Sequence, residues 1–303
     1  MDFRSQLNAI IGEDNPLAAA SLTFLSDISS DDRATLALMW PGIGASRRRK
    51  IAATLVQLAE DNLEYDFSTA LHTLLDDPDA QVRRVAVEGL IEDESVRTVR
   101  RLITVLSDDP DPAVRAAAAY TLGPSALRAE TGKLKGEWPQ RLCNALLAAV
   151  RGTGQDIEVR RRALETLGYF SGSADVQAEI TAAYKGPDLL RASALVAMGR
   201  SMDPQWATIL LAELRSAVPM MRYEAVQAVG ELGDRANVPA ILPLLEDDDL
   251  EVQLAAIAAL GQLGGRVSAQ ALRMLGDSAT EVTREAIDDA LTEVRHAEDP
   301  LSP

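Results

Sequence analysis

Several residue types are scarce in this sequence of 303 residues. It has a single cysteine, Cys143, so an intrachain disulfide and a cysteine-based metal site are both excluded. Its two histidines, His72 and His296, lie far apart along the chain. Aromatic residues make up only 4% of the chain. No apolar run approaches the ~18 residues that a membrane-spanning helix needs, so we expect no membrane insertion.

Motifs that mark common active sites are also missing. The chain contains no HExxH, CxxC, GxxxxGK[ST] or GxSxG pattern. The glycine-containing stretch at 42–50, GIGASRRRK, is preceded by a predicted helix and not by the strand that a phosphate-binding loop requires. We therefore expect a protein without a cofactor or a bound metal, and one that is not an enzyme.

Positive charge is in short supply. The formal net charge is −16, from 46 acidic and 30 basic residues, and the pI is about 4.6. A field of this sign repels phosphate backbones, which disfavours nucleic acids as partners. The N-terminal stretch contains acidic residues and no long apolar core, unlike a secretory signal. A cytoplasmic protein is the expectation.

One sequence motif recurs along the chain. The stretch DDPDAQVRRVAVEGL at 76–90 has near copies at 108–123 and 247–261. Aligned on Arg83, the copies have a period of about 31, with one insertion of 14 residues near 124–139. Such a period is typical of repeat proteins. The anchor positions of the alignment are Arg83, Arg115, Arg160, Arg191, Arg222, Gln253 and Thr283.

The columns of the alignment describe an amphipathic helix. The residue before the anchor is always apolar, the third residue after it is always alanine, and the eighth is glycine in five copies. These offsets form one helical stripe, and alanine and glycine allow close helix packing. Aspartates four residues before the anchor, such as Asp79 and Asp111, are placed to cap the helix. Pro112 then falls at the first helical position.

Each repeat has a second helix before this one, for example at 95–106 and 174–184. We name the earlier helix A and the anchor-bearing helix B. A pair of ~30 residues cannot bury its apolar face alone, so the pairs must stack. We predict capping helices in 1–28, an all-α solenoid of about eight repeats in 29–294, and a flexible tail in 295–303.

The repeated pattern resembles the HEAT-like repeats of the bilin-lyase type over residues 30–294. The resemblance implies a right-handed α-solenoid with the B helices on the concave face. The class includes chromophore lyases, hydroxylases and proteins that only bind other proteins. The hydroxylases hold two irons with repeated His-Glu pairs, and this chain has no His-Glu dipeptide.

The anchor arginine falls inside the apolar arc of helix B, where an unpaired charge is costly. Aspartate recurs six residues before the anchor, and the resemblance implies that such residues form an Asp–Arg ladder along the stack. The alternative use of the arginines is contact with a ligand. The predicted ladder consists of Asp77, Arg83, Asp109, Arg115, Arg160, Arg191, Arg222, Asp247 and Asp277.

Two regions are candidates for partner binding. One is the side of helix B that faces away from the apolar stripe, and tyrosine and arginine there are residue types enriched at interface hot spots. The other is the insertion, a long loop with a small basic and aromatic island, whose tryptophan could instead pack on the next helix A. The first set is Arg84, Glu88, Tyr120, Arg161, Glu165, Tyr169, Tyr223 and Gln227; the second is Lys133, Lys135 and Trp138.

These observations favour a monomeric, non-enzymatic scaffold that binds a protein or peptide on the B-helix face. The alternative is a bilin-lyase-like or chaperone-like maturation factor that holds a chromophore or a client protein in the groove. A shallow polar stripe on that face would favour the scaffold, and a deep apolar pocket would favour the maturation factor.

Overall fold

A computed structural model describes residues 2–12, 17–276 and 280–298. All the regular secondary structure of these residues is helical. Contacts between Cα atoms separate the chain into two compact units, Met1–Ala163 and Leu164–Pro303. Each unit is described by itself below.

The first unit begins with α1 and a 3-10 helix over Ala19–Leu25, which precede the repeats. A short 3-10 helix over Trp40–Gly42 follows α2. The α-helices are α1 Phe3–Ile11, α2 Ser30–Met39, α3 Ala45–Asp61, α4 Ser68–Leu74, α5 Ala80–Glu88, α6 Val96–Asp108, α7 Pro112–Thr121, α8 Gly123–Glu130, α9 Trp138–Arg151 and α10 Ile157–Leu167. The first unit contains α10 as far as Ala163.

The second unit continues the alternation of helices A and B. Its α-helices are α11 Ala174–Tyr184, α12 Asp188–Arg200, α13 Ala207–Glu213, α14 Pro219–Leu232, α15 Val238–Ile241, α16 Leu250–Leu263, α17 Gly265–Gly276 and α18 Glu281–Glu298. Three 3-10 helices, Pro204–Trp206, Arg235–Asn237 and Leu242–Glu246, complete helices A of two repeats.

The described helices form eight A–B pairs, with α3, α5, α7, α10, α12, α14, α16 and α18 as the B helices. Consecutive B helices pack on one another within each unit, as α3, α5 and α7 do in the first and α12, α14, α16 and α18 do in the second. The predicted fold class, an α-solenoid of about eight two-helix repeats, is confirmed.

The B helices begin where the sequence predicts. The side chains of Asp79, Asp111 and Asp249 accept hydrogen bonds from the first free backbone N–H groups of α5, α7 and α16. Pro112 is the first residue of α7, where its missing N–H has no intrahelical partner to lose.

Small residues bring neighbouring B helices close together in the second unit. The glycines at 168, 199, 230 and 261 face the alanines at 197, 228, 259 and 290 of the next B helix. A Cβ built on Gly199 would lie 2.7 Å from the Cα and 2.8 Å from the Cβ of Ala228. The glycine column is therefore a contact surface between helices, in addition to any role at a helix end.

Gly199→Ala should destabilise the protein although alanine is the better helix former. Overpacking costs ~1–3 kcal/mol, which exceeds the gain of at most ~1 kcal/mol from helix propensity. Gly172 is the matched control, because a Cβ there meets no atom within 4 Å. Urea denaturation followed by circular dichroism compares the two variants. A Gly199→Ala protein as stable as Gly172→Ala would contradict the close approach.

Arginine and aspartate join consecutive repeats. Three bridges have the same form: Arg48 with Asp77, Arg83 with Asp109, and Arg222 with Asp247. In each, the arginine comes from the start of one helix B and the aspartate from the loop that enters the next helix B. We call this series the arginine ladder. The arginines of these three bridges therefore pair within the stack and are not exposed for contact with a ligand.

The bridge of Arg83 shows how each ladder contact is built. Its Nε and Nη2 atoms donate to both carboxylate oxygens of Asp109, at 2.8 and 2.9 Å. Its Nη1 atom donates to the carbonyl oxygen of Asp77 in its own loop, at 2.8 Å. The same carboxylate of Asp109 accepts the backbone N–H of Asp111 at 2.9 Å. One guanidinium thus fixes two successive loops.

Other predicted ladder arginines have different partners. Arg115 donates to the side-chain oxygen of Gln155, and Arg160 donates from Nε to the carbonyl oxygen of Val150. Arg191 pairs with Glu213 at the end of α13. These three arginines therefore belong to the stack but not to an Asp–Arg pair, because the equivalent positions of the next loops, 154, 185 and 216, are not aspartate. Asp277 lies outside the described residues.

The last repeat has a different register from the one that we predict. Val282 is exposed, whereas Thr283 and Ile287 are buried, which makes Arg284 the anchor of α18. The spacing from Gln253 is then 31, the common period. The alignment on Thr283 is wrong by one residue because Ala286, which it places in the alanine column, is only partly buried.

The insertion and the C-terminal segment contain more helix than predicted. Residues 123–130 form α8, whose Ala126 is fully buried, and Leu134 in the following turn is also buried. The insertion is therefore a packed helix and turn, and the prediction of a long loop is wrong. Helix α18 continues to Glu298, so residues 295–298 do not form the predicted tail, and 299–303 lie outside the described residues.

Arg83→Ala should lower the free energy of unfolding by about 2–4 kcal/mol, because it leaves the buried carboxylate of Asp109 without its partner. The neighbouring Arg84 is the matched control, since it is exposed and pairs only with Glu88 on the same helix. Arg84→Ala should cost less than about 0.5 kcal/mol. Thermal and urea unfolding measure both. Equal losses would contradict a structural role for the ladder.

Acid should weaken the same bridge. Burial alone would raise the pKa of Asp109, but the hydrogen bonds from Arg83 and from the backbone N–H of Asp111, together with the charges of Arg83 and Arg115, hold that pKa below its ordinary value. A carboxyl whose pKa is lower in the folded state stabilises the fold above its unfolded pKa, and that stability is lost as the pH falls through the folded pKa. Between about pH 5 and pH 3, we expect Asp109→Asn to lose less stability than the wild type.

The matched control is Asp76→Asn, since Asp76 forms an exposed bridge with Arg101. This variant should keep the acid sensitivity of the wild type in urea denaturation. An Asp109→Asn protein with the same sensitivity as the wild type would show that the bridge does not contribute.

Candidate protein-binding site

A groove on the first unit brings together three of the predicted binding residues, Arg84, Glu88 and Tyr120. It has a volume of about 640 Å³ and runs along α5, α7 and α10 on the side of these helices away from the apolar stripe. We call it the B-helix groove. Its lining residues are Arg84, Glu88, Ala113, Ala116, Ala117, Tyr120, Glu158 and Arg162.

The groove owes its depth to alanine. Helix α7 has the sequence PAVRAAAAYT, and Ala113, Ala116 and Ala117 form the floor. The alanine-rich helix propagates well and carries short side chains. The longer side chains of α5 and α10 stand on either side, so a groove remains over α7.

The walls of the groove carry both charges and an aromatic ring. Arg84 and Glu88 form an ion pair of 3.2 Å, and both side chains are more than 40% exposed. The guanidinium of Arg162 lies 5.9 Å from the centre of the Tyr120 ring, within the range of a cation–π contact. Tyr120 is itself 48% exposed. These groups are available to a partner because their mutual contacts lie at the surface.

The other predicted binding residues lie elsewhere. Arg161 pairs with Glu158 on its own helix and does not line the groove. In the second unit, Tyr169 stacks on the guanidinium of Arg200 at 5.5 Å. Tyr223 lines a smaller groove of about 310 Å³ beside α16, and Gln227 is exposed on α14.

Glu165 is buried, so its predicted role on the exposed face is wrong. Only 4% of the residue is exposed, and its carboxylate accepts a hydrogen bond of 2.7 Å from the hydroxyl of Ser193 on α12. The close contact of Gly168 with Ala197 explains the burial, since it brings α12 against the end of α10.

The basic and the aromatic residues of the insertion lie in different elements. Lys133 and Lys135 are exposed in the turn that follows α8. Trp138 starts α9 and is half-buried, with the guanidinium of Arg141 at 5.1 Å from its ring. Because Leu134 between the two lysines is buried, the turn is held against the protein.

His72, on α4 of the second repeat, belongs to a buried polar cluster with residues at the start of the third repeat. Its Nε2 atom lies 2.8 Å from the Thr98 hydroxyl and 3.4 Å from a carboxylate oxygen of Asp93. Burial would raise the pKa of Asp93, but hydrogen bonds from His72, Thr98 and Ser95 lower it well below its ordinary value. The hydroxyl and the carboxylate contact the same ring nitrogen of His72. In a catalytic triad they contact opposite ring nitrogens, so this cluster is not a triad.

Sequence reasoning missed a cleft beside the B-helix groove. It has a volume of about 560 Å³ and is formed by the ends of α3 and α5, the start of α4 and the turns that follow the two B helices. Glu88 is common to both concavities. The only sequence signal is a pair of turns, NLEYDF at 62–67 and IEDE at 91–94, that mix apolar and acidic residues.

Residues 2–12, 17–276 and 280–298 contain no group of three or more histidine, cysteine, aspartate or glutamate side chains placed to hold a metal ion. No helix in the same parts of the chain is long and apolar enough to cross a membrane.

Stacked two-helix repeats joined by an arginine ladder define an α-solenoid. The chain belongs to the HEAT-repeat family. A family model of HEAT repeats matches residues 68–135 and 207–292, together just over half of the chain. No curated protein sequence matches the chain at a significant level.

Solved structures with a similar fold include the complex of CpcE and CpcF of the phycocyanin lyase from Nostoc. It is 20% identical, covers 93% of this chain and 97% of that chain, and has a TM-score of 0.55. YibA of Escherichia coli is 14% identical over 94% of this chain and 99% of that one, with a TM-score of 0.47. At these identities the likeness concerns the fold.

Proposed function

We propose that this protein is a non-enzymatic scaffold that binds a protein or peptide in the B-helix groove. The observation that carries the proposal is the composition of the groove, an alanine floor between charged walls with an exposed tyrosine and two arginines. HEAT and related solenoid repeats present extended surfaces of this kind to partners. Tyrosine and arginine are among the residues that dominate binding energy at interfaces.

The shape of the groove supports a scaffold over a maturation factor. A chromophore would bury most of its surface in an apolar pocket. The B-helix groove instead has Arg84, Glu88, Glu158 and Arg162 along its walls and is open to solvent. A peptide with alternating charges and one ring-sized apolar side chain matches this lining.

Affinity capture from the native organism tests the proposal. The wild-type chain should enrich a protein that Tyr120→Ala fails to retain, because the exposed ring contributes at least ~1.4 kcal/mol, or tenfold in affinity. Arg101→Ala is the control, since Arg101 lies on α6, a helix A, and pairs with Asp76. Mass spectrometry identifies the captured protein, and titration of that purified protein measures the affinities.

Recovery of a pigment or another small molecule with no protein would contradict the scaffold and favour the maturation factor. A captured protein that binds Tyr120→Ala and the wild type equally would place the binding surface outside the groove.

A further inference from the structure

The cleft at the ends of α3 and α5 has an apolar interior. Val56 and Ala59 of α3 form one wall, Leu71 of α4 is buried at the base, and Ile91 closes the opposite side. Phe67 is almost completely buried beneath them. The interior is therefore suited to aliphatic groups of a ligand.

The rim of this cleft is negatively charged. Six carboxylates line it, at positions 60, 66, 88, 92, 93 and 94, and no lysine or arginine does so among the described residues. Glu60 and Glu92 are exposed, and neither carboxylate has a hydrogen bond or an ion pair within the described parts of the chain. The other four have partners, such as Arg84 for Glu88 and Arg128 for Glu94.

Two helix ends add to this negative potential. The last turns of α3 and α5 contribute Ala59, Glu60, Glu88 and Gly89 to the cleft. A helix C-terminus carries a partial negative charge and favours a cation. Neither helix has a basic residue in its last turn to provide one.

Apolar groups at the rim indicate that more than a free ion is recognised. Leu63 is 94% exposed, the highest value of the large apolar residues in the described chain. Tyr65 is half-buried, with its ring centre 5.7 Å from that of Phe67. An aromatic ring beside carboxylates is a site for an ammonium or guanidinium group.

We propose that this cleft binds an arginine or lysine side chain from a basic segment of a partner protein, with a neighbouring apolar residue against Leu63. The aliphatic stem of the basic side chain lies between Val56 and Ile91, and its charged head reaches Glu60 and Glu92. Long basic side chains bury their stems in this manner while the charge stays at the surface. The occupant follows from charge complementarity, and the cleft shares only Glu88 with the lining of the B-helix groove.

The test uses the full chain and a fluorescein-labelled peptide of alternating leucine and arginine. Fluorescence anisotropy should show saturable binding. The same peptide with glutamine in place of arginine should bind at least tenfold more weakly. Glu60→Gln combined with Glu92→Gln should also reduce the affinity about tenfold, and circular dichroism should show unchanged folding because both side chains are exposed.

The matched control is Glu246→Gln combined with Glu285→Gln. It removes the same charge from exposed positions of the second unit and should leave the affinity within twofold of the wild type. An equal loss in the control would show attraction to the acidic protein as a whole and would overturn the proposal. Displacement of the peptide by an equal concentration of spermidine would also overturn it, because a small polycation would then suffice.

A photoreactive leucine in the peptide locates the bound segment. Cross-links mapped by mass spectrometry should fall within residues 56–71 and 88–94. Cross-links to α7 or α10 would assign the peptide to the B-helix groove and contradict this site. Tyr120→Ala should leave binding of the peptide unchanged, so failure of this proposal is distinguishable from failure of the proposed scaffold function.

Discussion

A guanidinium that holds two loops at once is the interaction on which the stack of repeats depends. The helix pairs of this protein are too short to bury their apolar faces alone. Packing between B helices buries those faces, but it does not fix the loops between the helices of a pair. Arg83 does so by binding the carbonyl of its own loop and the carboxylate of the next. The buried charges are tolerated because each guanidinium nitrogen of Arg83 donates to an oxygen.

The ladder also divides the residues of a helix B such as α5 into a buried set and an accessible set. Its arginines and aspartates are inside the stack, so the repeated part of the motif is not available to a partner. The adjacent Arg84, one residue after Arg83, lies instead in the B-helix groove. The residues of α5 and α7 that a partner can reach are therefore ones that differ between repeats, beside residues that scarcely change.

The fold could be predicted from the sequence because its determinants are periodic. Seven copies of one motif are enough to define helix starts, buried alanines and close glycine contacts, and Asp79 or Gly199 can be assigned from one column. The predictions that depend on column position alone are less reliable. Glu165 occupies the same column as Glu88 but is buried, because Ser193 of the next helix B lies against it. Exposure depends on the neighbouring helix, which one repeat does not specify.

The acidic cleft was beyond sequence reasoning for a related physical reason. Tyr65, Leu63 and Glu92 lie in turns outside the repeated columns, and only the packing of α3, α4 and α5 brings them together. The helix of the insertion is not predictable from the sequence, because its buried apolar residues, Ala126 and Leu134, are too few to show a helical period. In both cases the relevant contacts join segments with no common pattern.

The repeat of α4 and α5 pairs with both of its neighbours through the ladder. Arg83 supplies the donor for the repeat that follows it, and Asp77 supplies the acceptor for the repeat that precedes it. If the repeat of α4 and α5 were duplicated or deleted as a whole, each ladder arginine would again meet a ladder aspartate of the next repeat. A break within a repeat separates the two halves and leaves a buried charge on both sides. Loss or gain of this entire repeat should therefore cost less stability than a break within it.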